Sequence, residues 1–139
     1  RPADRIRNYR LEGHVRLPEE EDRTLFAYWR ARLTDTFISA IRQQGGILVN
    51  LASAEMKNLF DWTCVTREVR VITPDFYTYK GGRLSTVVVY AKMCRGEMTR
   101  FILKNRIENP EDLKTFEWEG YRFNPRESHD DHWVFTPGT

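Results

Sequence analysis

The sequence predicts an α+β fold of mixed α/β character: a short mixed sheet with one long helix and several shorter ones. Three observations predict it. Apolar residues Phe26, Trp29, Leu33, Phe37, Ile38 and Ile41 recur at three- and four-residue steps, the period of a helix with one buried face. Apolar or β-branched runs at residues 47–51 and 86–90 stand between turn residues, as strands do. With 139 residues, 40% of them hydrophobic, 30% charged and 13% aromatic, the chain is long enough for a real core and too aromatic for a disordered polymer.

Residues 1–18 are Arg-rich (Arg1, Arg5, Arg7, Arg10, Arg16), and residues 9–15 alternate loosely enough for an extended strand or loop. Pro18, Glu19, Glu20, Glu21 and Asp22 read as a helix start, because carboxylates in a first turn complement the positive end of the helix dipole. The long helix then runs until Gly45-Gly46 stops it. Residues 47–51 are a buried strand, and Ser53 can cap a short helix behind it. Residues 64–72 and 84–92 read as two further strands, with Pro74 and Lys80-Gly81-Gly82-Arg83 supplying a hairpin-like turn between them. After Lys92 the period becomes helical, with Met98, Phe101 and Ile102 on one stripe up to Ile107. Asn109-Pro110 begins another short helix through Phe116, and Trp118, Tyr121, Phe123, Trp133 and Phe135 suggest a closing hairpin. There is no internal repeat and no low-complexity linker.

The formal charge of +2 does not announce a nucleic-acid binder, so the distribution of charge has to decide. No apolar run approaches the roughly 20 residues that span a bilayer, and residues 1–10 lack the apolar stretch of a signal peptide, so no membrane partner is expected. Cys64 and Cys94 lie far apart without CxxC spacing, which fits reduced thiols in a cytoplasmic setting better than a disulfide or zinc site. No cofactor is expected. The start at Arg1-Pro2, without Met, reads as a cut piece.

Several stretches together resemble the YaaA family, also called UPF0246. Arg1-Pro2-Ala3-Asp4 with Tyr9-Arg10-Leu11-Glu12 is similar to its RPxD…YRLEM, and Leu25-Phe26-Ala27-Tyr28-Trp29 to its LYxFW. Asn50-Leu51-Ala52-Ser53-Ala54-Glu55 resembles its NLASxE, and residues 91–102 its AKxARGxMxRFI. Glu119-Gly120-Tyr121 and Val134-Phe135 also have counterparts. Gly13 stands where the family has Met, and Cys94 where it has Ala. The family's opening SPAKT-like and LSGLYG stretches have no counterpart. The resemblance therefore implies either a single domain over residues 1–139 or the C-terminal half of a larger YaaA-like domain, completed by a missing N-terminal half or a second chain. It also implies a peroxide-stress protein that binds duplex DNA through a basic cleft and a helix-hairpin-helix element, and that limits unincorporated iron. The hairpin of that element is expected in the LSGLYG stretch, because Ile107-Glu108-Asn109-Pro110 lacks the glycine that lets backbone amides approach phosphate.

Two groups of residues carry the chemistry. In residues 92–106, Lys92, Arg95, Arg100, Lys104 and Arg106 face a single acidic residue, Glu97. Arg95 and Gly96 are expected at a strand-to-helix junction, where backbone N–H groups and a guanidinium hold phosphate, while Arg100 and Lys104 share a helix face. The plain alternative is a solvated basic face. Tyr9, Arg10 and Glu12, with Asn50, Ser53 and Glu55, are polar residues set beside apolar runs, as in the floor of a pocket for a nucleotide or related small molecule, and Lys92 and Arg95 are expected to share that site. Their plain alternative is capping and structural hydrogen bonding. No nucleophile–base–orienter order is recognisable, so binding is favoured over turnover. His129-Asp130-Asp131-His132 has metal-ligand residue types but reads better as a hairpin tip, and no metal site is assigned. Trp29 lies on the apolar stripe and reads as core rather than as a base-stacking platform.

Overall fold

The computed structural model describes residues 12–18, 20–56 and 58–138. Strands β1 (Arg16–Leu17) and β2 (Glu20–Thr24) form an antiparallel hairpin ahead of the long helix α1 (Leu25–Gln43). The helix thus starts later than the acidic run suggested. Thr24 is its N-cap, with the side chain accepting from Ala27 N–H at 3.2 Å, and no carboxylate sits in the first turn. Phe26, Ile38 and Ile41 are buried as their spacing requires, but Trp29 is 40% exposed and is not a core residue. Gly45 and Gly46 end the helix at φ of 101° and 77°, a conformation that favours glycine.

Strand β3 (Ile47–Val49) and a 3₁₀ turn at Ala54–Met56 follow. The single strand expected over residues 64–72 is instead two elements, α2 (Trp62–Glu68) and β4 (Arg70–Phe76). Two interactions outweigh the β-propensity there. Asp61 caps the helix by accepting from Cys64 N–H at 3.1 Å, and Val65 and Val69 pack with Ile38 and Ile41 of α1. Pro74 is buried in β4 rather than placed in a turn. The N–H groups of Thr73 and Tyr77 donate to β9-side carbonyls of Asp131 and Phe135, so the position lacking an N–H faces the opposite side, beyond the last β3 pairing at Ile72.

Strands β5 (Thr78–Lys80) and β6 (Arg83–Ser85) make the expected hairpin, with Gly81 and Gly82 at φ of 58° and 76°. The strand expected over residues 84–92 is corrected by the structure: helix α3 (Val88–Asn105) already begins there. Its spacing of Ala91, Cys94 and Met98 buries one stripe against Ile72 and Phe76 of β4, and this packing overrides the β-branched Val87-Val88-Val89. A 3₁₀ helix, Pro110–Thr115, starts at Asn109, whose side chain accepts from Glu111 N–H. Strands β7 (Glu117–Trp118), β8 (Tyr121–Phe123) and β9 (His132–Pro137) close the fold.

The main sheet has the order β3-β4-β9-β8-β7; β3, β4 and β9 are parallel, and β8 and β7 are antiparallel to their neighbours. This is the expected mixed sheet. Alternation along β4 divides the core. Ile72 and Phe76 pack with α3, Leu113, Phe116 and Phe135, whereas Val71 packs against the α1–α2 cluster on the other face. Among the described residues no helix is long and apolar enough to cross a membrane.

A strand-end cleft and a basic helix face

Strand β3 stops opposite Ile72 while β4 runs on to Phe76, so the second half of β4 has a strand only on its β9 side. A cleft of about 280 Å³ occupies the free side. Asn50 and Ser53 reach it from the segment after β3, Asp75 and Tyr77 from the end of β4, Trp62 from the start of α2, and Arg95 from α3. The C-terminal ends of parallel strands are where open α/β sheets gather ligand groups. Of the residues expected to share a pocket, Asn50, Ser53 and Arg95 therefore do meet, whereas Lys92 does not line the cleft. Glu12 is exposed near the start of the described chain and does not line the cleft. Tyr9, Arg10 and the side chain of Glu55 lie outside the described residues.

The polar groups of the cleft are unevenly satisfied. Asp75 Oδ2 accepts from the Tyr77 hydroxyl at 3.3 Å and lies 2.8 Å from His132 Nε2. Burial, and then the Asp75 carboxylate, push the Tyr77 hydroxyl above its ordinary value, so it stays a donor at neutral pH. Asn50 Oδ1 accepts from Ala52 N–H at 3.2 Å, which fixes the turn leaving β3. The Trp62 indole N–H is buried and has no acceptor among the described residues. Arg95, half-buried, has no carboxylate within ion-pair distance there. The Asp75–His132 pair was not foreseen, because residues 73–77 were expected in a turn. Strand alternation places Asp75 on the face that β9 presents beside it.

The other basic residues of residues 92–106 lie elsewhere. Lys92, Arg100, Lys104 and Arg106 are exposed. The nearest carboxylate to Arg100 belongs to Glu97, 3.9 Å away, and the Arg100 side chain is 75% exposed. Arg95 and Gly96 are interior to α3 rather than at a strand-to-helix junction, so their N–H groups are spent on the helix and the expected amide-and-guanidinium phosphate site is not formed. The apolar first turns of α3 are also exposed, with Val88 at 66% and Val89 at 65%, followed by Tyr90 and Met93.

The His129-to-His132 tip is structural. His129 and His132 exchange backbone hydrogen bonds of 3.0 and 2.9 Å, Asp130 takes φ of 46°, and Asp131 accepts a fork of bonds from Arg70 at 2.7 to 3.1 Å. The Arg70 guanidinium holds the Asp131 carboxyl below its ordinary value. No group of three or more His, Cys, Asp or Glu side chains among the described residues could hold a metal.

Residues 1–127 match the family described as peroxide stress protein YaaA. A UPF0246 protein of Phocaeicola vulgatus is 61% identical over 136 residues, which is 98% of this chain and 53% of that protein. One from Bacteroides thetaiotaomicron is 62% identical over 138 residues, covering 99% of this chain and 54% of its own length. A more distant one, from Clostridium perfringens, is 39% identical over 137 residues. The chain spans about half the length of these curated relatives.

Proposed function

The chain belongs to the peroxide stress protein YaaA family, the UPF0246 proteins, and from that premise we propose that it serves the response to hydrogen peroxide by holding duplex DNA on the solvent face of α3. The observation that carries this reading is the set of exposed cations on the later turns of that helix and at its C-cap, Arg100, Lys104 and Arg106, set against the one acidic residue Glu97 of the helix; Lys92, also exposed, lies nearer its start. Lys and Arg on a helix face bind phosphates without reading bases, because the phosphate backbone offers charge but no sequence information. The reading is one of binding rather than turnover: Ser53 has no hydrogen-bonded base among the described residues, so no activated nucleophile is assembled there.

The family resemblance supplies the rest of the proposal. Bound duplex would be kept from iron-driven oxidation in the cytoplasm, in concert with the limitation of free iron. The remaining half of the family-length polypeptide would cover the apolar first turns of α3, which would leave the basic later turns as the DNA face.

Charge reversal tests the proposal. The double variant Arg100→Glu/Lys104→Glu should lose on the order of tenfold or more in affinity, alike for every duplex sequence, with its circular dichroism unchanged. Unchanged affinity in a folded double variant would remove α3 as the DNA face.

A further inference from the structure

We infer that the cleft beyond the end of β3 binds a small organic anion, whose carboxylate is taken by Arg95 and whose apolar body lies against Ala52, Met56 and Trp62. This goes beyond the proposed phosphate contacts and does not rest on them, because Arg95 faces the cleft whereas Arg100, Lys104 and Arg106 are exposed along the later turns of α3.

Three features point to an anion. The first is charge balance. Among the described side chains the cleft holds one guanidinium and one carboxylate, but Asp75 is occupied by Tyr77 and His132 on the strand face it shares with β9, and none of the described carboxylates forms an ion pair with Arg95. A half-buried guanidinium without a carboxylate offers a planar fork of donors that matches an incoming one. The second is backbone. In a parallel ladder, a residue's N–H and C=O point to the same side and the sides alternate. Thr73 and Tyr77 donate to the β9 side, so Phe76 N–H is turned toward the cleft, where β3 has already ended. The third is the Trp62 indole, a cleft-lining residue whose buried N–H has no acceptor among the described residues. The surplus at this site is therefore of donors.

Size and lining narrow the class. The volume of about 280 Å³ is at the lower end of the roughly 300–1,000 Å³ of ordinary ligand pockets, so it suits a molecule the size of a single ring with one anionic group. Ala52, Met56 and Trp62, which are exposed or half-buried, provide an apolar wall that a bare inorganic ion would leave wet. An aromatic or heteroaromatic monocarboxylate satisfies both halves of the site.

The test compares acids with their neutral amides: benzoate with benzamide, and nicotinate with nicotinamide, with inorganic phosphate as a third arm. Binding to the chain is followed through the Trp62 indole N–H cross-peak in 1H–15N spectra, assigned by its loss in Trp62→Phe. The expected result is a saturable shift with the carboxylates, at least about fivefold weaker or absent with the amides, and abolished in Arg95→Gln but retained in the control Lys80→Gln. Equal binding of acid and amide, binding unaffected by Arg95→Gln, or no shift with either acid would overturn the inference. Phosphate binding without carboxylate binding would overturn it too, since it would leave the apolar wall without a role. Duplex affinity measured on Arg95→Gln separates the two proposals: its loss would implicate Arg95 in the DNA face, and its retention leaves the cleft as a separate site.

Discussion

At the scale of residues, the two thiols are built against reactivity. Burial pushes Cys94 up to about 11, in the core formed by α3 and β4, and the hydrogen bond that the Cys64 thiol donates to Asp61 raises Cys64 as well. The thiolate is the species that attacks peroxide and alkylating agents, so both raised thiols should react slowly with either. At neutral pH, iodoacetamide should label both positions more slowly than it labels free glutathione, with Cys94 slower than Cys64; fast labelling of either in the folded chain would contradict this. Gly13 illustrates a different constraint. A Cβ there would fall 2.1 Å from the Phe26 ring, whose own N–H donates to Gly13 O at 3.0 Å. Gly13→Ala should therefore cost about 1–3 kcal/mol by denaturant unfolding, and Phe26→Leu should recover part of it. Asp131 adds a pH dependence. Its folded value lies below the ordinary 3.8, so its contribution is fully present above that value and is lost as pH falls through the folded one. The stability difference between the parent chain and Asp131→Asn should accordingly shrink to nothing in acid and stay constant near neutrality.

At the scale of elements, α1 was legible because its stripe is long and regular, and the Gly81-Gly82 hairpin because its glycines take the positive φ that a two-residue turn needs. Helix α2 and the start of α3 were not legible. Both are rich in β-branched residues, and both are helical because a cap or a buried stripe elsewhere decides the conformation: Asp61 and Val65 for α2, and Ala91, Cys94 and Met98 for α3. The same errors hid half of the cleft. Asn50 and Ser53 could be picked out as polar residues after a strand, but Asp75 and Tyr77 become visible only when β4 is known to continue through Pro74. Thr34 is the hinge pin between α1 and α2. It is buried, donates to Arg30 O at 2.7 Å and accepts from Asp61 N–H at 3.0 Å. Thr34→Val leaves that N–H without its partner and should cost about 1–3 kcal/mol in urea unfolding, whereas a loss below a few tenths would show that water replaces the hydroxyl freely.

At the scale of the whole molecule, α3 joins the parts of the account: one stripe closes the core, Arg95 enters the cleft, and the outer face is apolar at its start and basic toward its end. The exposed Val88, Val89, Tyr90 and Met93 form the kind of patch that a further polypeptide surface covers. The isolated chain should bind a hydrophobic dye there, and Val89→Asp/Met93→Asp should suppress the dye signal without lowering the melting temperature, since neither side chain is in the core. Dye binding that survives the double substitution would place the exposed apolar surface elsewhere. The basic turns carry the central claim, and salt dependence addresses it most directly. If Arg100, Lys104 and Arg106 each neutralise one phosphate, log K for a short duplex of arbitrary sequence should fall against log salt with a slope of about −2.7, at about 0.9 per contact. Arg100→Glu/Lys104→Glu should reduce that slope by roughly two-thirds. A slope near zero, or the same slope in the parent and the double variant, would contradict the account.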